Sequence, residues 1–153
     1  MNTTFDFVGS GDKPALIAFS TPDWLDTVKA ALSELGYKVH SAVTHSDFLV
    51  RFSQVRYQVV IIEELFAANS LGENESVSAL ANMSMNDRRH ATIILLGNSF
   101  QTFATMEAFQ QSVHAVINSS EMFMLNQLIE KAVAENTLFL QSYLEVQRRV
   151  SML

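Results

Sequence analysis

Tyr57-Gln58-Val59-Val60-Ile61-Ile62-Glu63-Glu64 is the stretch that decides the fold: four β-branched apolar residues in succession, closed by two acids. A strand with one wet face alternates apolar and polar residues. This one does not, so both of its faces are buried, as at the centre of a parallel sheet covered by helices. An acid at the carboxyl end of such a strand stands where open α/β sheets bind ligands. Glu63 is therefore the first candidate functional residue.

On either side the same grammar repeats. Ala15 to Phe19 reads as a short apolar strand, and Thr21-Pro22-Asp23 supplies an N-cap, a proline at the first helical position and a first-turn acid. The helix that follows puts Trp24, Leu25, Val28, Leu32 and Leu35 on one face and stops at Gly36. Tyr37 to Val43 is a second strand, and Phe48, Leu49, Phe52 and Val55 form the inner stripe of a helix starting near Ser46. After the Tyr57 strand come a polar loop over 67–75, a helix over about 76–85, and a strand from Ala91 to Leu96 ended by Gly97-Asn98. Phe103, Met106, Ala108 and Phe109 suit another helix, and Val113 to Ile117 is the fifth strand. Strands separated by helical patterns predict right-handed βα repeats folded as a three-layer α/β sandwich.

With 153 residues, 48% of them hydrophobic, the chain can bury one substantial core, and the organisation expected is a leader over 1–13, one domain over 14–135 and a helical extension over 136–153. The leader carries Gly9-Ser10-Gly11-Asp12-Lys13-Pro14 and no apolar period, which predicts flexibility. A net charge of −6 and scattered basic residues argue against nucleic-acid binding by this chain alone, since neutralising phosphates needs a basic face. The absence of cysteine excludes disulfides, thiolate zinc sites and cysteine nucleophiles, and fits the cytoplasm. No apolar run approaches the ~20 residues that span a bilayer, so no membrane association is expected.

The segments Leu32-Ser33-Glu34-Leu35-Gly36-Tyr37-Lys38-Val39 and Tyr57 to Glu63 look like the first helix end with second strand, and the third strand, of the receiver domain of bacterial response regulators. The chain resembles that family across roughly residues 14–135. The resemblance implies a doubly wound, flavodoxin-like parallel sheet of five strands in the order 2-1-3-4-5. It also implies a phosphoryl-transfer pocket: an acidic pair after strand 1 for magnesium, an aspartate ending strand 3, a Ser or Thr ending strand 4 and a lysine ending strand 5.

Matched residue by residue, each of those groups has changed. Phe19-Ser20-Thr21 offers no carboxylate after strand 1, although magnesium needs hard oxygen ligands. Glu63 stands for the aspartate, and its extra methylene moves the oxygens away from the in-line geometry of attack. Gly97 replaces the hydroxyl residue and Asn118, before Ser119, replaces the lysine. The loss of the whole set points to a pseudo-receiver without phosphorylation chemistry. No cofactor and no metal is expected, although Glu63-Glu64 leaves solvation, mimicry of the activated charge and cation binding open as alternatives.

From Glu121 to about Val150 the chain runs without Gly or Pro, roughly 45 Å of helix at 1.5 Å per residue. Leu125, Ile129, Ala132, Asn136, Phe139, Tyr143, Val146 and Val150 alternate by four and three, the spacing of a coiled-coil seam. The sheet is too short to cover all of it. Asn136, Phe139, Tyr143, Val146 and Val150 are thus the expected interface of a homodimer, with Asn136 setting register. Arg148 and Arg149 complement the helix end.

The four histidines, His40, His45, His90 and His114, lack metal-ligand spacing, and the methionines read as adaptable core filler. Ser20-Thr21 before a helix can offer backbone N–H groups to an anion, with simple capping as the plainer reading. The function expected is a noncatalytic signalling module that dimerises and presents a receiver-like face to an unidentified protein partner. The alternative is a phosphoacceptor or small-ligand-binding domain with weak chemistry near Ser20, Glu63 and Asn98.

Overall fold

In the computed structural model, which describes residues 8–152, the elements run β1 (Pro14–Ala18), α1 (Pro22–Glu34), β2 (Lys38–Ala42), α2 (His45–Gln54), β3 (Val59–Glu63), α3 (Glu75–Asn82), α4 (Met85–Arg88), β4 (Thr92–Gly97), α5 (Thr105–Gln110), β5 (Ala115–Asn118) and α6 (Leu125–Ser151). Short 3₁₀ turns occupy Leu71–Glu73 and Ser119–Met124. The strands form one parallel sheet of five in the order β2-β1-β3-β4-β5. That is the expected three-layer doubly wound sandwich.

Both faces of the sheet are apolar, which explains why its strands show no alternation. Leu16, Val60, Ile62, Ile93 and Leu95 face a core built with Phe48 and Phe52 of α2, Val77 and Leu80 of α3 and Ala108 of α5. Ile17, Val59, Ile61, Ile94 and Ile117 face the other, built with Val28 and Leu32 of α1 and Leu125, Ile129 and Ala132 of α6. At about 25 cal/mol per Å² of apolar surface, these two buried layers are the main stabilising term.

Three local expectations change. The leader's first seven residues lie outside the described residues, but Gly9 to Lys13 is tied down: Asp12 N–H donates to Gly9 O (3.1 Å), Gly9 N–H to Asp12 Oδ2 (2.7 Å), and Lys38 N–H to Lys13 O (2.8 Å). The helix expected over 76–85 is two helices, because Met83 and Ser84 are extended (ψ 147° and 154°), with Ser84 at the N-cap position of α4 and its hydroxyl donating to Asp87 Oδ2 (2.9 Å). The helix near Phe103 is shorter than its apolar residues imply. Phe103 lies before it with φ 61°, Met106 and Phe109 point outward, and only Ala108 is buried. The turn at Phe103 serves the sheet instead: Phe103 N–H donates to Val116 O (2.9 Å) and Thr102 Oγ1 accepts from Asn118 N–H (2.9 Å). These bonds cover the open edge of β5.

The long helix also needs correcting. The 3₁₀ turns consume its expected start, and α6 proper is 27 residues. Asn136, expected in a seam between copies, is buried in its own domain, 7% exposed, with Nδ2 donating to Thr92 Oγ1 on β4 at 2.9 Å. It is the last buried residue of α6. The reason is that the seam spacing and the sheet-facing stripe share one face of the helix, and the sheet takes the first half. From Thr137 onward only Leu140 among the described residues is not exposed. Phe139, Tyr143, Val146 and Val150 stand 64%, 43%, 58% and 62% exposed, Tyr143 lying under the Arg89 guanidinium (5.7 Å to the ring centroid). No helix of the described residues is long and apolar enough to cross a membrane.

Asn136→Ala should cost about 1–3 kcal/mol in urea unfolding, because it leaves Thr92 buried without its donor. Thr92→Val with Asn136→Leu should restore much of the loss. An altered sedimentation coefficient with an unchanged urea midpoint would instead place Asn136 between copies.

Candidate functional site

The carboxyl ends of β1, β3 and β4 open into a concavity of about 520 Å³ whose wall includes Thr21, Trp24, Glu63, Glu64, Gly97 and Asn98. At its base, Glu63 ends β3 and points toward α1, as its alternation with Val59 and Ile61 dictates. Its carboxylate is 5% exposed and held by three donors. Ser20 N–H and Thr21 N–H donate to Oε1 at 2.8 and 2.9 Å, and the Thr21 hydroxyl donates to Oε2 at 2.8 Å. Thr21 is the N-cap residue of α1, yet its side chain makes no capping bond. The hydroxyl serves Glu63 instead. The amino end of α1, a ready anion site, is thus filled by the protein's own carboxylate.

Glu64 explains Gly97. Glu64 is 8% exposed, its N–H donates to Leu96 O (2.8 Å), and its Oε1 accepts from Ser99 N–H (3.2 Å). A Cβ placed at residue 97 would collide with Glu64 Oε1 and stand 2.5 Å from Glu64 Cβ. The acid occupies the room that a hydroxyl side chain at the end of β4 would need. The two residues are a matched pair.

Asn118 stands behind the wall of the mouth: it pairs with Gly97 across β4 and β5, its Nδ2 donates to Phe100 O (2.7 Å) and to Asn98 O (3.4 Å), and its Oδ1 accepts from Ser120 N–H (2.9 Å). Ser20 acts sideways: its Oγ accepts from Ala67 N–H at 2.8 Å, fixing the loop after β3 where Ala67 has φ 46°. Asn74, fully buried, donates from Nδ2 to Glu63 O and Glu64 O (3.1 Å each) and accepts from Val77 N–H through Oδ1. His45 completes the brace through Ser76 N–H, which donates to Nδ1 (3.1 Å), and through the contact of Nε2 with Ala67 O (3.2 Å).

The structure therefore joins Ser20, Thr21 and Glu63, sets Gly97 beside Glu64, and pairs Asn118 with Gly97 with its side chain turned to the loop after β4. Sequence reading missed Asn74, whose signal was an Asn immediately before the acidic first turn of α3, and Trp24, read only as core. The other histidines serve separate places. Burial and nearby Arg56 lower the pKa of His90, stacked on Phe52. Burial and Arg88 bring His114 down to about 4: part of the residue meets solvent, but its Nδ1 accepts Ile93 N–H at 2.8 Å. Among the described residues no three of His, Cys, Asp and Glu converge as a metal site.

No protein-family model and no curated protein matches the sequence. Solved structures do. The chemotaxis response regulator CheY4 of Vibrio cholerae superposes with a TM-score of 0.64 at 15% identity, covering 79% of this chain and 98% of that one. This is the fold of response-regulator receiver domains. The BeF3-activated DrrB receiver domain matches at 0.61 and 16%, over 80% of this chain and 98% of the other. NtrX from Brucella abortus, solved with ADP, matches at 0.67 and 13%, covering 92% of this chain but 30% of that longer one. On this fold the mouth lies at the carboxyl edge of the sheet, and in this chain its base is braced by the bonds that the Glu63 carboxylate accepts from Ser20 and Thr21.

Gly97→Ala should lower stability by roughly 1–3 kcal/mol through overpacking against Glu64. Glu64→Gly in the same chain, which removes the Cβ as well as the carboxylate, should recover part of it, read as the thermal midpoint of the two single variants and the double variant. Additive losses would show that the two residues do not share the space.

Proposed function

We propose that this chain is a non-phosphorylatable pseudo-receiver that acts as a noncatalytic signalling and protein-interaction module of a two-component-like system. One observation carries the reading: the Glu63 carboxylate is turned to Ser20 N–H, Thr21 N–H and the Thr21 hydroxyl, so that both of its oxygens accept from within the chain. Phosphoryl transfer needs a free oxygen in line with the incoming group and a cation to neutralise charge. Here the oxygens of Glu63 already accept. The positions after β1 that would hold magnesium ligands present N–H donors, which disfavour a cation at that end. The reading places the chain in the cytoplasm, in keeping with a sequence free of cysteine.

The interaction surface proposed for self-association is the overhang of α6, where Phe139, Tyr143, Val146 and Val150 keep the four-three spacing beyond the last residue that the sheet covers. A second copy of the same helix covers such a stripe in an isologous pair. Regulation then comes through partner binding and not through a phosphoryl group.

Acetyl phosphate with magnesium should leave the mass of the chain unchanged, and beryllium fluoride with magnesium should not shift its melting temperature. Stable phosphorylation would restore the phosphoacceptor alternative.

Sedimentation at micromolar concentration should give a dimer that Phe139→Asp converts to a folded monomer. A wild-type monomer would remove the self-association.

A further inference from the structure

We propose that the mouth at the carboxyl edge of β3 binds an organic cation, an alkylammonium or guanidinium group, between Glu64 and Trp24. This goes beyond the pseudo-receiver reading and does not depend on self-association.

Glu63 and Glu64 are adjacent carboxylates, 5% and 8% exposed, and neither makes an ion pair among the described residues. No lysine or arginine lines the mouth. Glu63 accepts from three donors, whereas Glu64 Oε1 accepts from Ser99 N–H and its Oε2, open to solvent, has no donor among the described residues. A carboxylate held by one N–H donor, with its second oxygen open in the wall of a cavity, is an acceptor available to a cationic partner from outside.

The chemistry of the wall selects the class of partner. An anion would meet Glu64. Magnesium would need several hard oxygens in near-octahedral array, while Glu63 turns its oxygens to Ser20 and Thr21 and no cluster of three ligating side chains exists among the described residues. An ammonium or guanidinium needs only one or two acceptors for its N–H groups and gains from an aromatic neighbour, which Trp24 provides. The cavity, about 520 Å³, admits a cation with an alkyl stem. The group can arrive on a free amine or on a basic side chain of a protein.

Trp24 is the single tryptophan of the chain, so its fluorescence reports on the mouth directly. The full chain is titrated at constant ionic strength with n-butylammonium and n-butylguanidinium chloride, against n-butanol and magnesium chloride. The two organic cations should give saturable changes and the other two none. Glu64→Gln should weaken binding roughly tenfold or more by removing the charged acceptor. Asn69→Lys, at the exposed rim, should weaken it by supplying a tethered competitor, with melting curves confirming that both variants fold. A lysine-containing peptide that displaces butylammonium at lower concentration assigns the cation to a protein; equal potency assigns it to a free amine. An unchanged affinity in Glu64→Gln, or an equal response to butanol or magnesium, overturns the site. Failure here leaves the phosphorylation-dead reading standing, because that reading rests on Glu63.

Discussion

A carboxylate at the end of the central strand has to be satisfied away from bulk water, and the way Glu63 meets that demand organises the carboxyl edge of the sheet. Its bonds to Ser20 and Thr21 join β3 to the turn between β1 and α1. They draw the Thr21 hydroxyl away from its helix and place a negative group against the positive end of α1, an arrangement worth some tenths of a kcal/mol to about 2 when partly buried. Removing the carboxylate would leave two N–H groups and a hydroxyl facing a half-closed cavity. The edge is built around one side chain, and Ser20, Asn74 and His45 brace the loop that follows it.

This arrangement reverses the usual sign of a phosphate-handling pocket. Such a pocket gathers acids to hold a metal and keeps a nucleophile free. Here N–H donors stand after β1, the residue ending β3 is hydrogen-bonded, and Glu64 excludes any side chain at Gly97. These residues depend on one another. A hydroxyl residue placed at position 97 alone meets Glu64, and shortening Glu63 alone withdraws acceptors from Ser20 and Thr21.

The sheet was legible because its signal is local and strong. Four buried β-branched residues in β3 and six buried residues in β4 leave no alternative to a covered parallel strand. The site was legible only as positions. Nothing local tells that the hydroxyl of Thr21 caps no helix, or that Gly97 and Glu64 divide one space, since both facts arise from neighbours brought together by the fold. The short α5 misled for a related reason: Phe103 and Phe109 are apolar, but the open edge of β5 needed its backbone partners more than the core needed another ring. Asn136 misled through coincidence of period, because a helix lying on a sheet and a helix in a coiled coil repeat apolar residues almost alike.

The two halves of α6 stand on different physical footings. Leu125, Leu128, Ile129, Ala132 and Asn136 are buried on the body, so tertiary packing holds the first half. Residues 137–151 have no such support, and isolated helices shorter than ~12–15 residues are marginal in water. Continuation from the docked half removes the cost of nucleation, while the Arg149–Glu145 pair (2.6 Å) and the basic last turn add only some tenths of a kcal/mol. What remains uncompensated is the apolar surface of Phe139, Val146 and Val150. In the self-association proposed for it, a like helix covering this surface would stabilise the overhang and the pair together, so the order of this segment and the oligomeric state should rise and fall as one property.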